Sequence, residues 1–184
     1  MTIHSEHPFA DPPGGRSPLR RFRGRLVSPV SLWTALGRGH RAGWTVSSFL
    51  VADGEPGEVV GVVDEDSDLA DLLTHPQAQP ALVVNLLGWD QRSLADAFAG
   101  QAPAPGGVFR LGEWTESEWG PVLLGSAGWI GARLVPGPPD HAGWGLLVRA
   151  VVEHVELPER EDPQGLLVHA QGRYRAVDGG PARP

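Results

Sequence analysis

The sequence predicts a mainly β fold, a small β-barrel with short helices. Glycine and proline are abundant, with 25 and 18 of the 184 residues, which favours many short strands and turns. Apolar runs of strand length follow one another closely, and turn residues separate them. The longer helical segments that alternate with strands in wound parallel α/β folds are missing. Hydrophobic residues make up 41% of the chain, enough for one buried core.

One domain is expected to occupy most of the chain. Residues 1–19 are rich in Pro, Gly and His and lack periodicity, which predicts a disordered N-terminal tail. Residues 179–184 are predicted to form a flexible C-terminal tail. The remaining residues, 20–178, have the length of a single domain and contain no internal repeat.

Turn residues set the limits of the predicted strands. A basic glycine loop, residues 37–43, separates the first two strands, and a Gly- and Pro-containing turn, residues 53–57, ends the second. Gly172 turns the last hairpin. The predicted strands cover residues 30–36, 44–51, 58–63, 81–87, 127–135, 144 to about 155, 166–169 and 173–177.

Two short helices are predicted between these strands. The first has Asp66 as its N-cap and ends before Pro76. The second has Asp90 as its N-cap and Gly100 as its stop signal. The apolar positions expected on their buried faces are Leu69, Leu72 and Leu73 in the first helix and Leu94, Ala97 and Phe98 in the second.

Composition excludes several functional classes. The net charge of −7 argues against nucleic acid as a partner, because neutralising phosphates requires excess Lys and Arg. The absence of cysteine excludes disulfides, thiol nucleophiles and thiolate metal sites. The histidines are scattered along the sequence, so no metal site is predicted. No apolar run reaches the ~18 residues of a membrane span, and no secretory signal precedes the domain. A cytoplasmic location without membrane contact is therefore expected.

The segment from Gly43 to Phe49 carries the clearest sign of a binding site. Thr45, Ser47 and Ser48 interrupt an otherwise apolar, strand-forming run. Short hydroxyl side chains and an accessible backbone suit a surface that lies against a planar ligand with polar edges. In a continuous strand Thr45 and Ser47 would face one side and Ser48 the other, so some contacts would come from the backbone. The alternative is a barrel strand whose hydroxyls bond neighbouring backbone.

This segment also resembles the Gly-Met-Thr-x-Ser-Ser-Phe signature of the flavin reductase-like family. The resemblance extends from about Phe22 to Val177 and keeps the family's order and spacing. Further segments that resemble family motifs are residues 27–34, Ser67, Asn85 in a Val-Asn-x-Leu strand, Gln91, residues 98–100, residues 120–123, residues 166–169 and residues 172–175.

The resemblance implies a Greek-key split barrel that binds FMN, with FAD as the other candidate, and that transfers hydride from NAD(P)H to flavin. It implies a homodimer with the flavin near the subunit interface, and a flavin-dependent monooxygenase as a candidate receiver of reduced flavin. The residues expected to contact the cofactor are Thr45, Val46, Ser47, Ser48, Ser67 and Asn85. The resemblance assigns no catalytic residue.

Two of these candidates have a structural alternative. Ser67 at a helix N-terminus would suit a flavin phosphate, although Asp66 and Asp68 beside it would repel the anion. Nearby arginines would have to offset that repulsion, and the candidates are Arg38, Arg41 and Arg92. Helix capping is the alternative role for Ser67. For Asn85, the alternative is an interior amide with satisfied hydrogen bonds.

The chain departs from the family pattern on the hydride-donor side. The family's Gly-Asp-His motif aligns in two ways: Asp140-His141 has similar residues, whereas counting back from Val148 puts Trp144 at the histidine position. His141 and Trp144 are therefore both candidates for the NAD(P)H side.

The chain also departs from the family pattern on the cofactor side. The family's threonine two residues after Ser67 is Leu69 here, which removes one polar contact.

Other functions stay open at this point. A split barrel can carry flavin or haem without turnover, and relatives of the pyridoxamine phosphate oxidase type act on a specific small molecule. A hydrolase is disfavoured, because no Ser-His-Asp arrangement is legible.

Overall fold

A computed structural model describes residues 17–75, 80–158 and 165–177. Three α-helices are present there: α1 (Pro18–Arg23), α2 (Asp68–Leu73) and α3 (Arg92–Phe98). Two turns of 3₁₀ helix cover Trp89–Gln91 and Val108–Arg110. The strands are β1 (Ser28–Pro29), β2 (Ser31–Gly37), β3 (His40–Val46), β4 (Phe49–Ala52), β5 (Glu58–Asp64), β6 (Ala81–Leu86), β7 (Trp114–Ser117), β8 (Gly120–Leu123), β9 (Gly128–Leu134), β10 (Asp140–Ala142), β11 (Gly145–Glu156), β12 (Leu166–Ala170) and β13 (Arg173–Val177).

One antiparallel sheet forms most of the barrel. Its strands lie in the order β3-β2-β6-β9-β11-β5-β4, and β10 pairs with β11 beside this path. The sheet curls so that β3, at one end, contacts β5 near the other end. The two end strands, β3 and β4, are consecutive in the chain and are joined only by Ser47 and Ser48. The mainly β barrel predicted from the sequence is confirmed.

Two smaller sheets complete the fold. β1, β12 and β13 form a three-stranded sheet, and β7 with β8 forms a hairpin. This hairpin packs against β2 and β6, while α3 packs against β3. The outer side of the sheet is therefore covered where these elements lie.

The barrel core follows from strand alternation. In β5, Val59, Gly61 and Val63 face inward and are buried, while the residues between them are partly exposed. The side chain of Trp33 fills the space above Gly61. A second apolar cluster, which includes Leu32 and Phe98, lies between the sheet, α3 and the β12–β13 hairpin.

The predicted strand over residues 44–51 is wrong in one respect, because it is two strands. β3 ends at Val46 and pairs with β2, whereas β4 begins at Phe49 and pairs with β5. The chain leaves one ladder and joins the other within two residues. Local composition gives no sign of this break, since the residues on both sides are strand formers.

The helix caps also differ from the prediction. Ser67, and not Asp66, caps α2, and Asp90 lies in the 3₁₀ turn that precedes α3. The predicted stop of the second helix is confirmed, since Gly100 has a φ of 68° directly after the Ala99 C-cap.

The N-terminal boundary is placed earlier than expected. Residues 1–16 of the predicted tail lie outside the described residues, but Pro18 and Leu19 belong to α1. The predicted C-terminal tail, residues 179–184, also lies outside them. Within the described ranges, none of the helices combines the length and the apolar character that crossing a membrane requires.

We predict that Gly61→Ala destabilises the barrel. A Cβ at this position would lie 2.6 Å from the buried ring of Trp33, and the full burial of that ring leaves little room for it to move. Overpacking of this kind costs about 1–3 kcal/mol of unfolding free energy. Urea unfolding measures the change, and Gly137→Ala is the control because a Cβ there meets no atom within 4 Å. Equal stability of the two variants would contradict the packing described here.

Candidate functional site

Three adjoining cavities meet at the connection between β3 and β4. Their volumes are about 510, 860 and 370 Å³, all within the range of small-molecule sites. Ser47 and Arg23 line all three of them. We refer to the three together as the Ser47 cleft. The cleft lies at the opening of the curled sheet, between its two end strands β3 and β4.

The predicted hydroxyl segment lines the cleft along its whole length. Thr45, Val46, Ser47 and Ser48 all line the cavity of about 370 Å³. The break between β3 and β4 removes the strict alternation of a strand, so both serines reach one cavity. Within the described ranges, neither serine hydroxyl has a hydrogen-bond partner. Both are therefore available to a ligand.

Thr45 and Val46 have structural duties as well. The Thr45 hydroxyl donates to the carbonyl of Ala95 at 2.7 Å, which ties α3 to β3. Val46 is buried in the barrel core, and its carbonyl accepts a 2.9 Å hydrogen bond from the Ser31 hydroxyl. These two residues shape the cleft, while the serines offer free hydrogen-bonding groups to it.

Ser67 does not reach the Ser47 cleft. It is 3% exposed, its hydroxyl donates to the Asp64 carbonyl at 2.6 Å, and the same oxygen accepts from the Ala70 N–H at 3.1 Å. Its hydrogen bonds are thus used within the chain as an N-cap of α2. The alternative of helix capping fits this geometry.

Asn85 is also placed away from the cleft, as an interior amide. Its Nδ2 donates to the Leu32 carbonyl at 3.1 Å and to the Thr34 hydroxyl at 3.2 Å, and its Oδ1 accepts from the Leu123 N–H at 2.8 Å. The Thr34 hydroxyl in turn donates to the Pro121 carbonyl at 2.5 Å. This buried network fixes the β7–β8 hairpin on the sheet.

The two candidates for the hydride-donor side separate clearly. Trp144 lies in the turn between β10 and β11, lines the same cavity as Ser48, and is 79% exposed. His141 lies on β10, and its Nε2 is 3.3 Å from a carboxylate oxygen of Glu65. The linings of the three cavities include Trp144 and not His141.

A basic segment that sequence reasoning missed forms one wall of the cleft. Arg20, Arg21, Arg23 and Arg25, on α1 and just after it, line the cavity of about 510 Å³ together with both serines. Four arginines within six residues were the available signal, but this stretch lies at the predicted tail boundary.

The arginines expected to offset a phosphate beside Ser67 have different surroundings. Arg38 lines a separate cavity at the other end of β3, together with Asp68 and Asp71 of α2. Arg41 forms an ion pair with Glu116. The guanidinium of Arg92 lies 4.8 Å from the ring centroid of Trp89. Arg41 and Arg92 thus have other partners, and a role for Arg38 beside α2 stays a prediction.

The β12–β13 hairpin forms the adjoining part of the wall, and its Gln171 N–H donates to the Gly24 carbonyl at 2.6 Å. His169 lines two of the cavities, and burial together with the positive charge of Arg23 lowers the pKa of its imidazole. Burial raises the pKa of Tyr174, and the negative charge of Asp96 and a hydrogen bond to its carboxylate raise it further. At neutral pH these shifts favour a neutral His169 and a protonated Tyr174 hydroxyl.

Known proteins are similar to this chain in sequence and in fold. The family described as "Flavin reductase like domain" matches residues 23–178. The FMN reductase (NADH) RutF of Ancylobacter novellus is 29% identical over 167 residues, which cover 90% of this chain and 87% of that protein. The reductase component of the FADH(2)-dependent resorcinol hydroxylase of Rhizobium sp. (strain MTP-10005) is 31% identical over 112 residues, which cover 61% of this chain and 59% of that protein.

A solved structure has the same fold. The NADH:FAD oxidoreductase SgcE6 of Streptomyces globisporus C-1027, in complex with NAD and FAD fragments, superposes with a TM-score of 0.75 and 21% identity, covering 89% of this chain and 93% of that chain. The family match covers nearly the whole domain and includes the hydroxyl segment, α2, α3 and the closing hairpin. The chain belongs to the flavin reductase-like family.

Proposed function

We propose that this protein is an NAD(P)H-dependent flavin reductase whose flavin binds in the Ser47 cleft. The observation that carries the proposal is the pair of unpartnered serine hydroxyls where the three cavities meet. Support also comes from two relatives, one named as an FMN reductase (NADH) and one as an NADH:FAD oxidoreductase. The choice between FMN and FAD follows from neither.

The cleft fits a flavin in size and in chemistry. Its cavities are of the volume that cofactors occupy, and one of them is walled partly by the apolar side chains of Val62 and Val63. Polar and charged side chains line the rest of the cleft, and Ser47 and Arg23 are common to all three cavities. A flavin held by these residues would supply the redox chemistry as the acceptor of hydride from NAD(P)H.

The protein's contribution is to hold and polarise the ring. The hydroxyls of Ser47 and Ser48 can donate to the polar edge of the ring, where negative charge develops during hydride transfer. Donors that are already in place need no reorganisation at that moment. The bond from Thr45 to Ala95 keeps α3 against β3 and so preserves the position of this edge.

Trp144 is proposed to stand on the hydride-donor side. Its exposed indole borders the cavity that both serines line, where an aromatic face can stack on a nicotinamide. His141, which is turned towards Glu65, is proposed to support the β10–β11 turn instead.

A homodimer is proposed on the outer face of β4 and β5. Leu50 is 57% exposed on the edge strand, and Val60 beside it is only partly buried. An apolar edge strand that is exposed to solvent is a surface on which another chain can pack. Val62, on the same face, also lines the cleft, which would bring a second subunit close to the flavin.

The physiological receiver is proposed to be a flavin-dependent monooxygenase. One relative is named as the reductase component of a resorcinol hydroxylase. The cytoplasmic location expected from the sequence stays a prediction.

We predict that Ser47→Trp abolishes flavin binding and leaves the barrel folded, because the indole would fill the point where the cavities meet. Flavin fluorescence titration measures binding, and far-ultraviolet circular dichroism checks the fold. Ser93→Trp, on the exposed side of α3, is the matched control and should bind flavin normally. Unchanged flavin affinity of the Ser47 variant would refute this placement.

Turnover is tested on the wild-type protein. Addition of NADH or NADPH should bleach the flavin absorbance, and air should restore it. Flavin that stays oxidised with both donors would point to a non-catalytic carrier instead.

We predict that Trp144→Ala raises the KM for NAD(P)H by about two- to tenfold, the value of one lost aromatic stacking contact. The affinity for flavin should not change. Steady-state kinetics with His141→Ala as the comparison variant separates the two candidates, since that variant should keep the wild-type KM. An effect of the His141 variant alone would reverse the assignment.

We predict that Leu50→Arg weakens the dimer, because burying an unpaired charge in an apolar interface is costly. Light scattering after size exclusion should then report a monomer at concentrations where the wild-type protein is a dimer. Leu124→Arg, on an exposed leucine of another face, serves as the control. A wild-type protein that is already monomeric would rule out the proposed interface.

A further inference from the structure

We propose that the arginines at positions 21, 23 and 25 form a phosphate subsite of the Ser47 cleft, which makes the protein select phosphorylated flavins over riboflavin. The inference rests on the proposed function and goes further by naming the part of the ligand that these residues recognise. It also replaces Ser67 and α2 as the expected position of the phosphate.

The geometry places cations and free hydroxyls around one space. Arg21, Arg23 and Arg25 line the cavity of about 510 Å³, and so do Ser47 and Ser48. Arg23 also lines the other two cavities. A ligand whose ring lies against the serines therefore has positive charge within reach of its tail.

These arginines form no ion pair with the described acids, although Asp64 and Asp96 line the cavity of about 860 Å³ together with Arg23. Elsewhere, arginines pair with carboxylates, as Arg133 does with Glu153 and Arg149 with Glu58. For Arg21, Arg23 and Arg25, no ion pair exists within residues 17–75, 80–158 and 165–177. The chain as a whole carries −7, so this local surplus stands against the overall charge.

Arginine chemistry suits the recognition of a phosphate. The planar guanidinium donates two parallel hydrogen bonds to phosphate oxygens and stays charged at every physiological pH. A terminal phosphate of −1.5 to −2 charge would be matched by about two arginines. All 15 basic residues of this chain are arginines, and there is no lysine.

Arg23 lies close enough to the adjoining β12–β13 hairpin to act on His169. Its positive charge is one of the two causes that lower the pKa of His169. His169 lines the same cavity of about 510 Å³, and a neutral imidazole there adds no positive charge of its own.

The competing position is already used by the chain. Ser67 donates to Asp64 and accepts from Ala70, and Asp68 and Asp71 lie in the first turn of the helix that it caps. An anion at that end of α2 would meet two carboxylates, which share a cavity with Arg38, and a Ser67 hydroxyl that is already in use. The cavity of about 510 Å³ beside α1 is lined by arginines and by no carboxylate of the described residues.

The test compares the affinities for FMN, FAD and riboflavin, measured by flavin fluorescence titration without NAD(P)H. The variants are Arg23→Gln, Arg25→Gln and the double substitution. Each lost charge-assisted contact should weaken FMN and FAD binding by about tenfold or more, whereas riboflavin binding should stay within about twofold of wild type. Added salt should weaken FMN binding to wild type more than to the double variant.

Two controls isolate the phosphate contact. Arg175→Gln removes the same charge from an exposed arginine outside the cleft and should leave all three affinities unchanged. Arg25→Lys keeps the charge and should recover part of the FMN affinity that Arg25→Gln loses. Thermal unfolding of every variant checks that the fold is intact.

Several results would overturn the inference while leaving the proposed function intact. These are equal wild-type affinity for FMN and riboflavin, equal losses of both in the arginine variants, and a higher KM for NADH without any change in FMN affinity. The last result would assign the arginines to the phosphates of the hydride donor. A wild-type protein that binds none of the three flavins would overturn the proposed function, and the inference with it.

Discussion

The incomplete closure of the sheet is the constraint on which the rest of the structure depends. A curled antiparallel sheet has two end strands, and here those strands are neighbours in the chain, joined by Ser47 and Ser48. The connection crosses the opening between the β2–β3 ladder and the β4–β5 ladder. The directions of its side chains are therefore not fixed by pairing in either ladder. The two serines have free hydroxyls, whereas the hydroxyl of Thr45, two residues before Ser47 and still within β3, donates to the Ala95 carbonyl. The cleft is thus a consequence of how the barrel fails to close.

Buried polar networks hold the parts of the frame that lie away from this opening. Asn85 and Thr34 join the β7–β8 hairpin to the sheet through hydrogen bonds that are fully buried. Unsatisfied groups in that position would be costly, so the hairpin has one preferred placement. Ser67 has a similar role at α2. Polar residues that a sequence motif associates with a cofactor therefore divide here into those that build the frame and those that face the cleft.

The sequence predicted the elements whose burial is regular and missed those whose burial is not. β5 and β6 have alternating or continuous apolar residues, and both were predicted within one residue of their bounds. α1 has no buried residue among those described, so it shows no apolar periodicity. β10 is exposed at all three positions, and its pairing depends on β11. The N-cap of α2 was predicted one residue too early, at Asp66, because Asp66 and Ser67 are both good capping residues.

The two-residue connection between β3 and β4 also fixes a length. Phe49 points into the core, where its ring meets that of Trp33 edge-on at 6.1 Å, and Leu50 points outward. Adding or removing one residue here would slip β4 by one position on β5 and exchange these two faces. The aromatic ring would then stand in solvent and the leucine would enter the barrel. A change of side chain at Ser47 or Ser48 should therefore disturb the fold less than a change in the number of residues between β3 and β4. The register of β4 on β5 fixes the length of this connection.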